Sequence, residues 1–161
     1  MELRIRPAVG TDAARIAAIW EPGWRDGHLG HVPDALVAVR SSADFAWRAS
    51  GAIPHALVGE FADEVVGFVV VVDDEVEQVY LDPVRRGTGD AAELLRAAES
   101  RVAEQGFSSA WLAVVAGNER ARRFYERNGW VDDGELSYVT AFEHGTVEVP
   151  CRRYVKDVVA H

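Results

Sequence analysis

The chain has 161 residues, 48% of them hydrophobic and 27% charged, and a net charge of −9 from 26 acidic and 17 basic side chains. That length can bury one core and is short for two, and the acidic balance argues against a nucleic-acid binder, which carries a basic face. One cysteine, Cys151, excludes an internal disulfide and a cysteine-rich zinc site, and the longest apolar run, Val65 to Val72, is too short to cross a bilayer.

The N-terminal MELRIRPAVG has no apolar signal core, so the expectation is a single cytoplasmic domain over residues 1–161, without a nucleic-acid or membrane partner. Leu3 and Ile5 alternate with charged neighbours and predict a strand over Glu2 to Arg6. Thr11-Asp12 supplies a helix N-cap, and Ala13, Ile16, Ala17 and Trp20 follow at helical spacing. Residues 22–54 read as the least regular part, punctuated by Pro22, Gly23, Gly27, Gly30, Pro33, Gly51 and Pro54. Short helices are predicted over Asp34 to Arg40 and Ala43 to Ala49.

Three antiparallel strands follow: Ala56 to Phe61, Val65 to Val72 and Val76 to Leu81. The middle one is apolar on both faces and should lie inside the sheet, covered on both sides. A helix is predicted from Gly89 to Glu104, a strand from Ala110 to Val115, a helix from Asn118 to Arg127, and strands over Val131 to Phe142 and Thr146 to Val155. This order gives a mixed α/β fold with helices on both faces. The strand–helix–strand crossover makes Val76–Leu81 and Ala110–Val115 a parallel pair in an otherwise mostly antiparallel sheet.

The link Val84-Arg85-Arg86-Gly87-Thr88-Gly89-Asp90 joins a strand to a helix. Glycines there let several N–H groups converge, and the helix N-terminus favours an anion. Arg85 and Arg86 can add charge-assisted contacts to phosphate, while Asp90 suits the helix cap. A nucleotide P-loop would need Gly-Lys-Ser/Thr, and no lysine is near. Gly87-Thr88-Gly89-Asp90-Ala91-Ala92 matches a dinucleotide fingerprint, but its glycines stand too far from the strand, and a turn without any ligand stays open.

A second motif, Asn118-Glu119-Arg120-Ala121-Arg122-Arg123-Phe124-Tyr125-Glu126-Arg127-Asn128-Gly129-Trp130, narrows the choice. Together with Tyr80-Leu81-Asp82-Pro83-Val84-Arg85-Arg86-Gly87-Thr88-Gly89, the sequence resembles the GNAT superfamily of acyl-CoA-dependent N-acyltransferases. Val84 departs from the pattern, standing where Gln or Arg is usual. The resemblance implies that the two parallel strands splay at their C-terminal ends and that the pantetheine arm of acetyl-CoA enters between them. It implies Leu81 N–H against pantetheine and Val79 N–H against the thioester carbonyl, where it would stabilise the oxyanion. It places Val84, Arg85, Arg86, Gly87, Thr88, Gly89, Asp90, Asn118 and Arg122 around the cofactor; Asn118 could equally cap its own helix. Tyr125 is implied as the acid that protonates the departing thiolate.

The base is left between Glu77 and Glu75, expected on one strand face with Val79 and Leu81. The acceptor is expected between residues 20–35 and the hairpin around Tyr138, with Trp20, Trp24, His28, His31, Tyr138 and His144 as candidates and a cationic amine favoured by aromatic walls and acidic charge. His28 and His31 lack a third partner for a metal, and no metal is expected. The implied activity is acetyl transfer from acetyl-CoA to a small-molecule or peptide amine. A non-catalytic acyl-CoA sensor is the alternative. A homodimer is possible, through an exposed edge at Thr146–Val155.

Overall fold

In the computed structural model, which describes residues 1–159, seven strands form one sheet in the order β1-β2-β3-β4-β5-β7-β6. The strands are β1 (Arg4–Pro7), β2 (Ala56–Phe61), β3 (Glu64–Val72), β4 (Glu75–Leu81), β5 (Ser109–Val115), β6 (Val131–Phe142) and β7 (Gly145–Asp157). All seven predicted strands are present. β3 is buried almost end to end, as its two apolar faces require. Every ladder is antiparallel except β4 against β5.

The helices are α1 (Ala13–His28), α2 (Asp34–Val39), α3 (Ser42–Ala52), α4 (Asp90–Glu104) and α5 (Glu119–Arg127). They split the core in two. Ile16, Trp20, Trp24 and Phe45 from α1 and α3 pack with Val58, Phe68 and Val70 on one face. Leu94, Leu95, Ala98 and Val102 of α4 pack with Val69, Val76 and Leu112 on the other. None of the helices is long and apolar enough to cross a membrane.

Two expectations need correction. The stretch from Pro22 to Gly27 is not a loop: α1 runs through it for 16 residues, with Pro22 inside. Tertiary packing outweighs the local cost of Pro and Gly, because Gly23 and Gly27, four residues apart, turn one bare helix face inward. A Cβ on Gly23 would lie 2.6 Å from the Tyr80 ring, and one on Gly27 would lie 2.6 Å from the Asn118 amide nitrogen. The other correction concerns dimerisation. Residues 145–157 are an interior strand held between β5 and β6, so the open edge on that side belongs to β6.

Because the Tyr80 ring is itself held in the core, Gly23→Ala is expected to cost about 1–3 kcal/mol in denaturant unfolding. Gly51→Ala, in the helical backbone of α3 with nothing within 4 Å of the added methyl, is the control and should be neutral or slightly stabilising.

Candidate active site

The parallel ladder between β4 and β5 contains one register pair, Glu75 with Trp111, fastened by Trp111 N–H to Asp74 O at 3.0 Å. Beyond it the strands part. The edge this exposes on β4 can be read from its other side. Asp82 N–H reaches Val66 O on β3 at 2.7 Å, and successive N–H groups of a strand point to opposite edges. The amides of Leu81 and Val79 therefore face the opening. A cavity of about 480 Å³ fills it, lined among others by Val79, Leu81, Gly87, Gly89, Asn118 and Arg120.

Its outer end is the loop before α4. Gly87 and Gly89 have φ of 78° and 87°, and nothing lies within 4 Å of an added Cβ at either. Backbone conformation, not space, demands glycine there. Arg85 is bound to the protein: Nε donates to Asp90 at 2.7 Å and the guanidinium lies 3.7 Å over the Phe61 ring. Asp90 is buried in that pair and does not cap the helix as expected: the N-cap of α4 is Gly89, with no side-chain cap hydrogen bond. Thr88 Oγ1 donates to Arg85 O at 2.6 Å, so its hydroxyl stays within the loop. Val84 is 80% exposed and lies off the cavity. Arg86 reaches inward to Asp26 of α1 at 2.9 Å, and Arg120 of α5 reaches the same carboxylate at 2.7 Å. These contacts hold Asp26 below the usual carboxylate range, Arg120 contributing more than Arg86.

Arg122 is engaged elsewhere, donating to the Tyr154 hydroxyl at 3.1 Å and to Ala116 O at 3.0 Å. The basic residues of this motif that line the opening are Arg120 and Arg127. Asn118 caps α5, accepting from Ala121 N–H at 3.2 Å, while its amide nitrogen lies against Gly27 at the cavity wall.

Behind the opening lies a smaller cavity of about 130 Å³. Val79, Tyr80, Asn118, Ala121 and Tyr125 line both. The Tyr125 ring thus stands where the two meet. Burial, and then the neighbouring Tyr80, push its phenol well above the ordinary tyrosine value, so it carries its proton at any physiological pH.

The small cavity leads into a third, of about 660 Å³, bounded by α3, β3, β4 and β6. Glu77 lines both of these and owes its position to a bulge. β4 pairs with β3 through Val76–Val71 and Gln78–Val70, leaving Glu77 as the extra residue. Such a residue shifts the side-chain alternation by one place. Val76, Val79 and Leu81 consequently pack toward α4, while Tyr80 packs toward α1. The expectation that the two glutamates share a face with Val79 and Leu81 is therefore corrected: they lie on opposite faces.

Burial raises the Glu77 carboxyl above its ordinary value, against the pull of Arg48 and then His55. Glu75 accepts a short hydrogen bond from the Tyr138 hydroxyl, and burial outweighs that bond to push its carboxyl up to about 7. Tyr138 lines both of these cavities, whereas Glu75 stands behind it.

The other predicted wall residues divide. Trp24 and His28 line the small cavity, with rings stacked 4.7 Å apart. Burial pushes His28 down to about 4. Its neutral ring has Nδ1 at 2.8 Å from Trp24 O, so Nδ1 carries the hydrogen and Nε2 is an acceptor. Trp20 is 1% exposed and belongs to the core, reaching the large cavity only at its edge. His31 packs on Gly117, and His144 is exposed in the β6–β7 turn; neither lines a cavity. The wall that sequence reasoning missed is α3, which contributes Trp47 and Arg48. Nothing in its spacing separates a cavity-lining arginine from a surface one. Among the described residues, no three His, Cys, Asp or Glu side chains are grouped as a metal site.

A sheet opened between two parallel strands, with a glycine loop at its mouth and a tyrosine at its apex, defines an acyl-transfer architecture. Residues 15–130 match the acetyltransferase (GNAT) family, and the chain belongs to it. An uncharacterized N-acetyltransferase of Mycobacterium bovis is 29% identical over 130 residues, covering 78% of this chain and 83% of that protein. A GCN5-related N-acetyltransferase from Rhodopseudomonas palustris superposes with a TM-score of 0.74 at 20% identity, covering 98% of this chain and 97% of the other. The PaiA N-acetyltransferase of Thermoplasma acidophilum, solved with coenzyme A, superposes at 0.71 and 16% identity, covering 98% and 99%.

The Glu75–Tyr138 pair has a consequence for stability. Below the ordinary carboxylate value of 4.5 both folded and unfolded chains hold the Glu75 proton. Between 4.5 and about 7 only the folded chain does, so this contribution is full in acid and is lost as pH rises through 7. The thermal midpoint should therefore decline from pH 5 to pH 8, and Glu75→Gln should flatten that decline.

Proposed function

We propose that the protein transfers the acetyl group of acetyl-CoA to the nitrogen of a primary amine by direct attack. The observation that carries this reading is the position of Tyr125, at the one junction between the opened sheet and the cavities that hold Glu77. The fit to acetyl-CoA rests on three features. Two amides on β4 lack a ladder partner. Two left-handed glycines precede the N-terminus of α4. Arg86 and Arg120 meet at the mouth.

Acetyl-CoA bound there supplies an activated thioester. Leu81 N–H would hold the pantetheine arm, and Val79 N–H would donate to the carbonyl oxygen as negative charge develops on it, a role worth roughly 2–4 kcal/mol for one such donor. Gly87, Gly89, Arg86 and Arg120 would hold the diphosphate.

Glu77 accepts the proton of the entering amine, directly or through one water. Its raised carboxyl makes it a better base than an exposed glutamate. The nitrogen–carbon bond forms as the carbon–sulfur bond breaks. Tyr125 gives its proton to the departing sulfur and recovers one from solvent through the opening. Its high pKa makes this transfer a matter of position and timing, since the phenol is a weak acid.

Tyr125→Phe should lower kcat by about 10²-fold with the Kd for acetyl-CoA within about twofold, read from thiol release and calorimetry. Glu77→Gln should lower kcat/KM and abolish its rise with pH across the acid limb. Unchanged turnover in either variant would remove that residue from the mechanism.

A further inference from the structure

The cavities beyond Tyr125 hold a guanidinium that has no carboxylate partner among the described residues. Arg48 leaves α3 and lines both the 130 Å³ and the 660 Å³ cavities, and it is absent from the walls of the opened sheet. Its guanidinium lies 4.3 Å from the Trp20 ring centroid, which fixes its plane. Nη1 is buried and has no hydrogen-bond partner, and no carboxylate oxygen among the described residues lies within 4.0 Å of the group.

The other arginines with sheltered heads behave differently. Arg6 ends on Asp12 and Glu60, Arg15 on Asp82, and Arg85 on Asp90. Arg40, on the same cavity wall, leaves its Nε without a partner but is paired ionically, giving Nη1 to Asp44 and to Ala141 O, both at 2.8 Å, and Nη2 to Thr140 Oγ1 at 2.7 Å. An unpaired buried charge costs several kcal/mol and persists where a ligand completes it. Burial lowers Arg48 to about 10, so it remains a cation at neutral pH.

We propose that Arg48 receives an anionic group of the acceptor, so that the amine acetylated here carries a carboxylate on the same small molecule, as a free amino acid does. This rests on the transferase reading above and narrows it. The charges facing the cavity agree. The Arg40–Asp44 pair is neutral overall, His28 is an uncharged acceptor, Glu77 is the base, and Glu75 is masked by Tyr138. Besides His55, which also lines the large cavity and acts on Glu77 less than Arg48 does, what remains is one anion and one cation on facing walls, close enough for Arg48 to lower Glu77 but too far apart to pair. A zwitterion satisfies both. A polyamine leaves Arg48 buried beside added positive charge. The overall acidity of the chain, which by itself favoured a purely cationic acceptor, is therefore a poor guide to this cavity.

The test is a panel of the standard L-amino acids, each against its own carboxamide, with spermidine as an amine lacking an anion. Thiol release from acetyl-CoA reports turnover, and calorimetry in the presence of coenzyme A reports binding. At least one acid should exceed its amide by about tenfold or more in kcat/KM, because a site built for a polar partner rejects the analogue that lacks it. Spermidine should stay at background. R48M and R48Q, both checked for folding by thermal melting, should erase the preference, bringing acid and amide to within about twofold of each other, because the loss of Arg48 beside Glu77 acts on both substrates alike. Arg48→Lys should restore part of it. Equal rates for acid and amide in every pair, no acid bound or turned over, or a preference that survives R48Q would each overturn the proposal. Acids that bind with the expected preference while no amine releases thiol would leave the anion site standing and remove the transferase reading instead. Turnover with amides or spermidine alone would do the reverse.

Discussion

The whole arrangement depends on a parallel ladder that stops after its first pair. β4 is secured to β3 along its length and β5 to β7 over all seven of its residues. The sheet is thus two well-made halves hinged at Glu75 and Trp111. Backbone polar groups on an opened edge need partners, and the half carrying β4 turns its amides into a cavity instead of against β5. Aromatic and amide side chains hold the gap: Tyr80 from below, Tyr125 and Asn118 from α5. The bare glycine face of α1 lets Tyr80 and Asn118 stand there at all. Substrate binding of the kind proposed is the completion of a sheet that the fold leaves unfinished.

A single inserted residue in β4 divides the labour of that strand. Without the bulge, strict alternation would put Val79 and Leu81 on the face that bears Glu75. With it, the apolar side chains of the C-terminal half enter the α4 core, and Glu77 turns toward α3 and β6. One strand can then support a packed core on one face, a cavity-lining carboxyl on the other, and free amides along its edge.

Much of this was legible in the sequence. Seven strands, the internal position of β3, the parallel pair and the two motifs follow from alternation, turn residues and helix periodicity. The misreadings share a cause. Pro22, Gly23 and Gly27 look like loop residues because local propensity is all a sequence displays. Their helical state comes from two contacts, with Tyr80 and Asn118, distant in the chain. The bulge leaves one trace, the consecutive polar residues Glu77-Gln78 between Val76 and Val79, but only pairing with Val70 and Val71 identifies Glu77 as the extra residue. Arg48 went unnoticed for a third reason. Among sixteen arginines its residue type carries no signal; what marks it is the absence of a carboxylate that three other elements could have brought.

The arginines also show how one residue type is put to two uses. At the mouth of the opened sheet, Arg86 and Arg120 are half-exposed and share Asp26. An exposed pair of that kind is worth about 0–1 kcal/mol, so a diphosphate arriving there exchanges one weak counter-ion for a stronger one. The carboxylate meanwhile keeps two long side chains aimed at the place they are needed. Deep in the acceptor cavity no such stand-in is supplied, and Arg48 bears its desolvation alone. The difference follows from dielectric: near water a temporary partner costs little to displace, whereas a buried one would be held too firmly to yield to a substrate. A site that must open its cation to a small ligand in a sheltered cavity has reason to leave that cation unpaired.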